Sequence, residues 1–121
     1  MLQNSRHVEI PWLMDASQIV IATVNERLDS AGAGEFKAEI ATLARTAKGI
    51  VVDLSKTVFI DSAGLGALVS LLKNCTQQDI RLYLAGLTPQ VRQIFELTRL
   101  YRLFDIFETT DQARSDLLGQ A

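Results

Sequence analysis

The apolar segment from Ile50 to Leu54 constrains the fold more than any other part of the chain. A strand with one face in solvent would alternate apolar and polar residues, whereas this segment is interrupted only by Asp53. Near-continuous apolar runs of this length are typical of strands that are covered on both faces, as in parallel sheets. The segment therefore predicts a central β-strand with helices packed on either side.

Strand-like and helix-like segments alternate around this central strand. Strands are predicted where apolar residues cluster, and helices where they recur every three to four positions. The predicted strands are His7 to Met14, Gln18 to Val24, Ile50 to Leu54 with Val58 to Ile60 as its end or as a short neighbour, Ile80 to Ala85, and Leu103 to Phe107. The predicted helices are Glu35 to Ala47 with Gly49 as its stop, Ala63 to Cys75, the segment that begins at Thr88 and Pro89, and Thr110 to Leu118.

This order predicts an α/β fold with a mostly parallel sheet of four to five strands and about four helices. The first two strands would form a hairpin, which makes the sheet mixed, and Pro11 places the first strand at an edge. A length of 121 residues is that of one domain. We expect residues 1–6 to be disordered and the protein to be a monomer.

Composition and charge exclude several classes of function. The net charge is −2 and no cluster of Lys and Arg exists, so nucleic acid is not an expected partner. One cysteine and one histidine provide neither a disulfide framework nor a zinc site. No apolar run reaches the roughly 18 residues of a membrane span, and the N-terminus lacks the apolar stretch of a signal peptide. A cytoplasmic location is therefore expected.

Few residues are candidates for catalysis. His7 lies near the terminus without a predicted partner, which favours a surface residue over a general base. Cys75 falls on the apolar stripe of its helix and is interpreted as a buried, inert thiol. Asp29, Asp53 and Asp61 lie near strand ends, but no second type of ligand accompanies them. We expect neither an enzyme nor a cofactor.

The most informative segment runs from Phe59 to Gly66, where an apolar strand ends and a helix begins at once. Ser62 is placed to cap that helix, and the residue types alone favour this role. Two glycines in the first turns are costly, about 1 kcal/mol each relative to alanine, and would let another protein's backbone approach closely. A hydroxyl at a helix N-terminus is also where an added phosphate is best tolerated, because free N–H groups and the helix dipole favour an anion. Both roles remain open for Ser62 on these grounds.

Three segments together resemble the STAS family, in its anti-sigma factor antagonist type. The most specific is the turn Asp-Ser-Ala-Gly-Leu-Gly at 61–66, preceded by the apolar strand at 51–54 and by Val58 to Ile60. Residues 27–29 resemble the end of the family's Gly-Glu-Leu-Asp motif, with Glu26 in place of its glycine. Residues 88–98 resemble its third helix.

The resemblance implies a role in a bacterial partner-switching pathway. Antagonists of this type bind a GHKL-type serine-kinase anti-sigma factor when unphosphorylated, dissociate when the serine of the motif is phosphorylated, and are reset by a PP2C-type phosphatase. Carried over to this chain, the phosphate acceptor is Ser62. The predicted partner-binding residues are Asp29, Asp61, Ser62, Ala63, Gly64, Leu65 and Gly66.

Two other interpretations stay open. The chain would be a STAS subunit of another assembly, such as a lipid transporter, if Ser62 is only a cap. It would be a small enzyme if the carboxylates near the strand ends act on a substrate. Neighbouring genes distinguish partner switching from transport, because kinase and phosphatase genes favour switching whereas permease and ATPase genes favour transport.

Overall fold

A computed structural model of the protein describes residues 14–119. Its strands and helices are β1 Ile19–Thr23, β2 Arg27–Leu28, α1 Ala33–Leu43, β3 Gly49–Asp53, β4 Phe59–Ile60, α2 Ser62–Gln77, β5 Arg81–Ala85, α3 Pro89–Thr98, β6 Asp105–Phe107 and α4 Thr110–Leu117. The disorder predicted for residues 1–6, and all but Met14 of the strand predicted from His7 to Met14, lie outside the described residues.

The main sheet has four parallel strands in the order β1-β3-β5-β6. On β3, Ile50 and Val52 contribute to the core that α1, α2 and α3 cover. Val51 faces the other way and packs with Ala113 and Leu117 of α4. All three β3 side chains are fully buried. The predictions of a central strand covered on both faces and of a mostly parallel α/β sheet are confirmed, and the strand that would make the sheet mixed falls outside the described residues.

A second, two-stranded sheet consists of β2 and β4, which pair in parallel with Arg27 opposite Phe59. Each of these strands has only two residues, too few for an alternation of apolar and polar residues to show in the sequence. Asp29 directly follows β2, and Asp61 directly follows β4. The small sheet thereby brings together two carboxylates that are 32 positions apart in the chain.

Helix α1 departs furthest from its predicted bounds. It spans Ala33–Leu43, and the chain turns four residues before the predicted end at Ala47. Gly49 was predicted to end this helix, but it is the buried first residue of β3. A Cβ on Gly49 would lie 3.0 Å from Cδ1 of Leu117, so the missing side chain there lets α4 pack closely on β3.

The remaining helices agree with their predicted positions to within two residues. Thr88 caps α3, since its hydroxyl oxygen accepts a hydrogen bond from the Val91 N–H, and Pro89 is the first helical residue. Helix α2 leads from the site described below back to the end of the sheet at which β5 begins. None of the helices described over residues 14–119 has the length and apolar character needed to cross a membrane.

Candidate functional site

Asp61, not Ser62, is the N-cap residue of helix α2. Its backbone is extended (φ −104°, ψ −174°), and its Oδ1 accepts a hydrogen bond from the Gly64 N–H at 2.9 Å. The prediction that Ser62 caps this helix is wrong, because Ser62 is already the first helical residue. β4 ends at Ile60 and α2 begins at Ser62, so Asp61 alone lies between them, in the extended conformation that an N-cap residue adopts.

The second carboxylate oxygen of Asp61 reaches across to the loop that follows β2. Oδ2 accepts a hydrogen bond from the Ser30 N–H at 3.1 Å. The Asp61 N–H in turn donates to the carbonyl oxygen of Leu28 at 3.4 Å. One half-buried side chain therefore ties the start of α2 to the loop that leads into α1, and it fixes the position of Ser62.

We expect removal of the Asp61 side chain to destabilise the protein while removal of the Ser62 hydroxyl does not. Asp61→Ala loses the helix cap and leaves the Ser30 N–H without its acceptor, so the free energy of unfolding should fall by about 1–2 kcal/mol. Ser62→Ala removes an exposed hydroxyl at the neighbouring position and should change it by less than about 0.5 kcal/mol. Urea denaturation of both variants checks this. A larger loss in Ser62→Ala than in Asp61→Ala would restore Ser62 as the cap.

Asp29 is held by its own loop and by Arg27. Its Oδ1 accepts from the Ala31 N–H at 3.2 Å, and its Oδ2 lies 3.2 Å from Nε of Arg27. Its carbonyl oxygen accepts from the N–H groups of Gly32 and Ala33. The hydrogen bond from Arg27 is the main cause that lowers the pKa of Asp29, and the backbone N–H groups add to it. Asp29 is therefore a carboxylate of fixed orientation at neutral pH.

Replacing Arg27 by Gln should raise the pKa of Asp29 back toward the ordinary value of about 3.9. A lowered folded pKa gives stability that is present above the unfolded pKa and is lost as pH falls through the folded pKa. Arg27→Gln should therefore make that contribution smaller, because the folded and unfolded pKa values of Asp29 come closer together. An NMR titration of the Asp29 carboxyl carbon measures the shift, with Arg45→Gln as a surface control. Equal Asp29 pKa values in the two variants would contradict the assigned role of Arg27.

The two glycines of the motif differ in their surroundings. A Cβ on Gly64 would lie 2.1 Å from the carbonyl oxygen of Leu28, so only glycine lets α2 approach β2 this closely. A Cβ on Gly66 would have no heavy atom within 4 Å. The missing side chain at Gly64 is thus explained by packing within the chain, whereas Gly66 leaves open surface.

The structure places six of the seven predicted site residues at the start of α2, and Asp29 in the neighbouring loop that Asp61 contacts through Ser30. Ser62 and Gly66 are exposed, Ala63 and Leu65 are half-buried against the core, Gly64 is buried, and Asp29 and Asp61 are half-buried. Sequence reasoning did not assign Arg27 or Phe59 to this site. For Arg27, the signal in the sequence was its spacing from Asp29, since residues two apart in an extended segment share a face.

Two other candidates for chemistry, Cys75 and Asp53, have structural roles, whereas His7 lies outside the described residues. Cys75 is buried on α2, and burial raises the pKa of its thiol. Asp53 accepts a hydrogen bond from the Ser55 N–H at 2.9 Å, as expected of a residue that stabilises a turn. Over residues 14–119, no three His, Cys, Asp or Glu side chains come together in a way that would hold a metal ion.

Family comparison agrees with this geometry. The model of the STAS domain family matches residues 14–113. The chain belongs to the STAS domain family. The resemblance noted for the Asp-Ser-Ala-Gly-Leu-Gly turn is thereby confirmed.

Two curated relatives of this STAS domain have related descriptions. BtrV of Bordetella bronchiseptica, described as a candidate anti-sigma factor antagonist, is 32% identical over 98 residues, which cover 78% of this chain and 83% of BtrV. The anti-sigma-B factor antagonist of Staphylococcus aureus is 36% identical over 64 residues, 53% of this chain and 59% of that protein.

Solved structures with this fold come from more than one functional class. A candidate anti-sigma factor antagonist from Thermotoga maritima has a TM-score of 0.77 and 27% identity, covering 87% of this chain and 90% of its own. The anti-sigma factor antagonist SpoIIAA in its unphosphorylated form has a TM-score of 0.75 and 20% identity, with coverages of 90% and 96%. A sulfate transporter family protein from Wolinella succinogenes also reaches 0.75, at 17% identity and coverages of 83% and 84%. Identities this low show a shared fold alone for the last two.

Proposed function

We propose that this STAS domain is an anti-sigma factor antagonist that binds a serine-kinase anti-sigma factor when Ser62 is unmodified and is released when Ser62 is phosphorylated. The observation that carries the proposal is the placement of Ser62 as the exposed first residue of α2, with the cap supplied by Asp61. The hydroxyl is therefore accessible to a kinase. Its modification leaves the helix cap in place.

The proposed partners are those that the resemblance to anti-sigma factor antagonists implies. The kinase is of the GHKL type, and a PP2C-type phosphatase removes the phosphate from Ser62. In this role the protein acts in the cytoplasm as one domain and a monomer, and it catalyses no reaction itself. The relatives described as anti-sigma factor antagonists support this assignment.

A phosphate on Ser62 would change the charge of the site without removing its structural contacts. It adds about −1.5 to −2 at pH 7, beside the carboxylates of Asp29 and Asp61. The helix dipole and the N–H groups of the first turn of α2 tolerate an anion there. A partner shaped to the unmodified surface would meet this new charge at close range, and like charges brought together at an interface cost several kcal/mol.

The partner would approach along the exposed face that Ser62 and Gly66 share. These residues are four apart on α2 and therefore lie on the same side of the helix. Open space at Gly66 would let the backbone of the partner come close. Asp29 and Asp61 hold the neighbouring loop and the helix start in a fixed arrangement, so the surface is formed before binding.

A release assay with the purified GHKL kinase encoded nearest to this gene tests the proposal. Wild-type protein bound to the immobilised kinase should dissociate when ATP is added, whereas Ser62→Ala should stay bound. Thr110→Ala, which removes a hydroxyl from α4, serves as a control and should be released like the wild type. Release of Ser62→Ala by ATP at the wild-type rate would show that another residue controls the complex.

A transport subunit is the alternative role for a STAS domain. The likeness to the Wolinella succinogenes protein supports the fold alone at 17% identity. The relative that is 32% identical over 98 residues is described as a candidate antagonist, which favours partner switching.

A further inference from the structure

Two large apolar side chains are exposed immediately before Ser62. Val58 retains 46% of its accessible surface and Phe59 retains 38%. Val58 immediately precedes β4 and Phe59 is its first residue, so both lie just before the α2 helix. Apolar side chains grouped on a surface next to a functional site indicate contact with another molecule.

Arg27 contacts Phe59, the second of these side chains, directly. Its guanidinium carbon lies 4.1 Å from the centroid of the Phe59 ring, and its Nε pairs with Oδ2 of Asp29 at 3.2 Å. The Arg27 side chain nevertheless remains 61% exposed. An arginine fixed by a cation–π contact and an ion pair loses little conformational freedom when a partner binds it.

We propose that Arg27, Val58 and Phe59 form a docking surface for the kinase, which would meet it with an apolar pocket bordered by a carboxylate. This proposal rests on the proposed function. Lys56, also exposed, lies two residues before Val58, so cations flank the apolar pair and an acidic border on the partner would complement them.

The docking surface is continuous with the face that carries Ser62. β4 leads through a single residue, Asp61, into the first residue of α2. On the neighbouring strand, Asp29 follows Arg27 by two residues and pairs with it directly. A partner that covers Ser62 would therefore also reach Phe59 with the same surface.

The two parts of this face would have different tasks. Aromatic and arginine side chains at the centre of an interface commonly carry most of its affinity. The docking surface would offer the same contacts in both states of Ser62, and the phosphate would oppose binding at one side of it strongly enough to release the kinase.

Isothermal titration calorimetry with the purified kinase tests the docking surface. Phe59→Ala should weaken binding at least about tenfold, because the aromatic anchor is lost. Val58→Thr keeps the shape and the strand preference of valine while adding a hydroxyl, and it should weaken binding several-fold. Leu97→Ala is the control, since Leu97 is 77% exposed near the end of α3, at the opposite end of that helix from Thr88, and should bind like the wild type.

The outcomes separate this proposal from the proposed function. If Phe59→Ala and Val58→Thr bind as tightly as Leu97→Ala while Ser62→Asp loses binding, the docking surface is refuted and the Ser62 switch stands. If Phe59→Ala is not folded, as judged by thermal unfolding, the result for Val58→Thr decides. If the wild type does not bind the kinase, both proposals fail.

Discussion

The Gly64→Ala variant is expected to lose about 3 kcal/mol of unfolding free energy, because the added methyl group overlaps backbone atoms. The added Cβ would lie 2.1 Å from the carbonyl oxygen and 2.9 Å from the carbonyl carbon of Leu28. Both are backbone atoms of β2 and cannot rotate away as a side chain would. Relief requires α2 to move away from the small sheet, which strains the contacts of Asp61.

Gly66→Ala is the matched control for this prediction. The same methyl group two residues later meets no heavy atom within 4 Å, and alanine is favoured over glycine inside a helix by about 1 kcal/mol. The control should therefore be as stable as the wild type or slightly more stable. Urea denaturation curves of the two variants provide the measurement. Equal stabilities for Gly64→Ala and Gly66→Ala would show that α2 does not pack against Leu28 as described.

The Ser62→Asp variant is expected to bind the kinase at least about a hundredfold more weakly than the wild type. A hundredfold loss corresponds to about 2.7 kcal/mol, within the several kcal/mol that like charges cost at an interface. The new carboxylate lies at the start of α2, where an acidic side chain suits the helix dipole, so the fold should be preserved. Loss of binding would then be an effect of charge at the interface and not of unfolding.

A charge placed elsewhere controls for the general effect of making the protein more acidic. Thr46→Asp adds the same charge at an exposed position between α1 and β3 and should bind the kinase like the wild type. Surface plasmon resonance on the two variants, with circular dichroism to check folding, makes the comparison. Equal affinities for Ser62→Asp and the wild type would show that Ser62 does not lie in the interface with the kinase.

The main sheet and its helices were predictable because their patterns are long. The apolar run on β3 and the apolar stripe of α2 each extend over enough residues to distinguish strand from helix, and the Thr88–Pro89 pair marks the start of α3. The end of α1 was not predictable from its pattern, because alanines continue the apolar spacing beyond the last helical turn. The role of Gly49 was not predictable either, because it depends on the contact with Leu117, which lies far away in the chain.

The sequence predicted which residues form the site, but not their contacts with one another. Aspartate and serine are both good helix caps, and the end of β4 at Ile60 decided between Asp61 and Ser62. The close approach of Gly64 to Leu28 joins residues 36 positions apart, through a sheet whose strands are too short to leave a pattern. The stacking of Arg27 on Phe59 depends on that same pairing.

Intact-mass spectrometry after incubation with the kinase and ATP tests the central claim about Ser62 most directly. The wild-type protein should gain the mass of one phosphate, and fragmentation should place it on Ser62. Ser62→Ala should gain none, while Thr110→Ala should gain the same single phosphate as the wild type. A phosphate on Ser62→Ala, or a phosphate placed on any other residue of the wild type, would contradict the account.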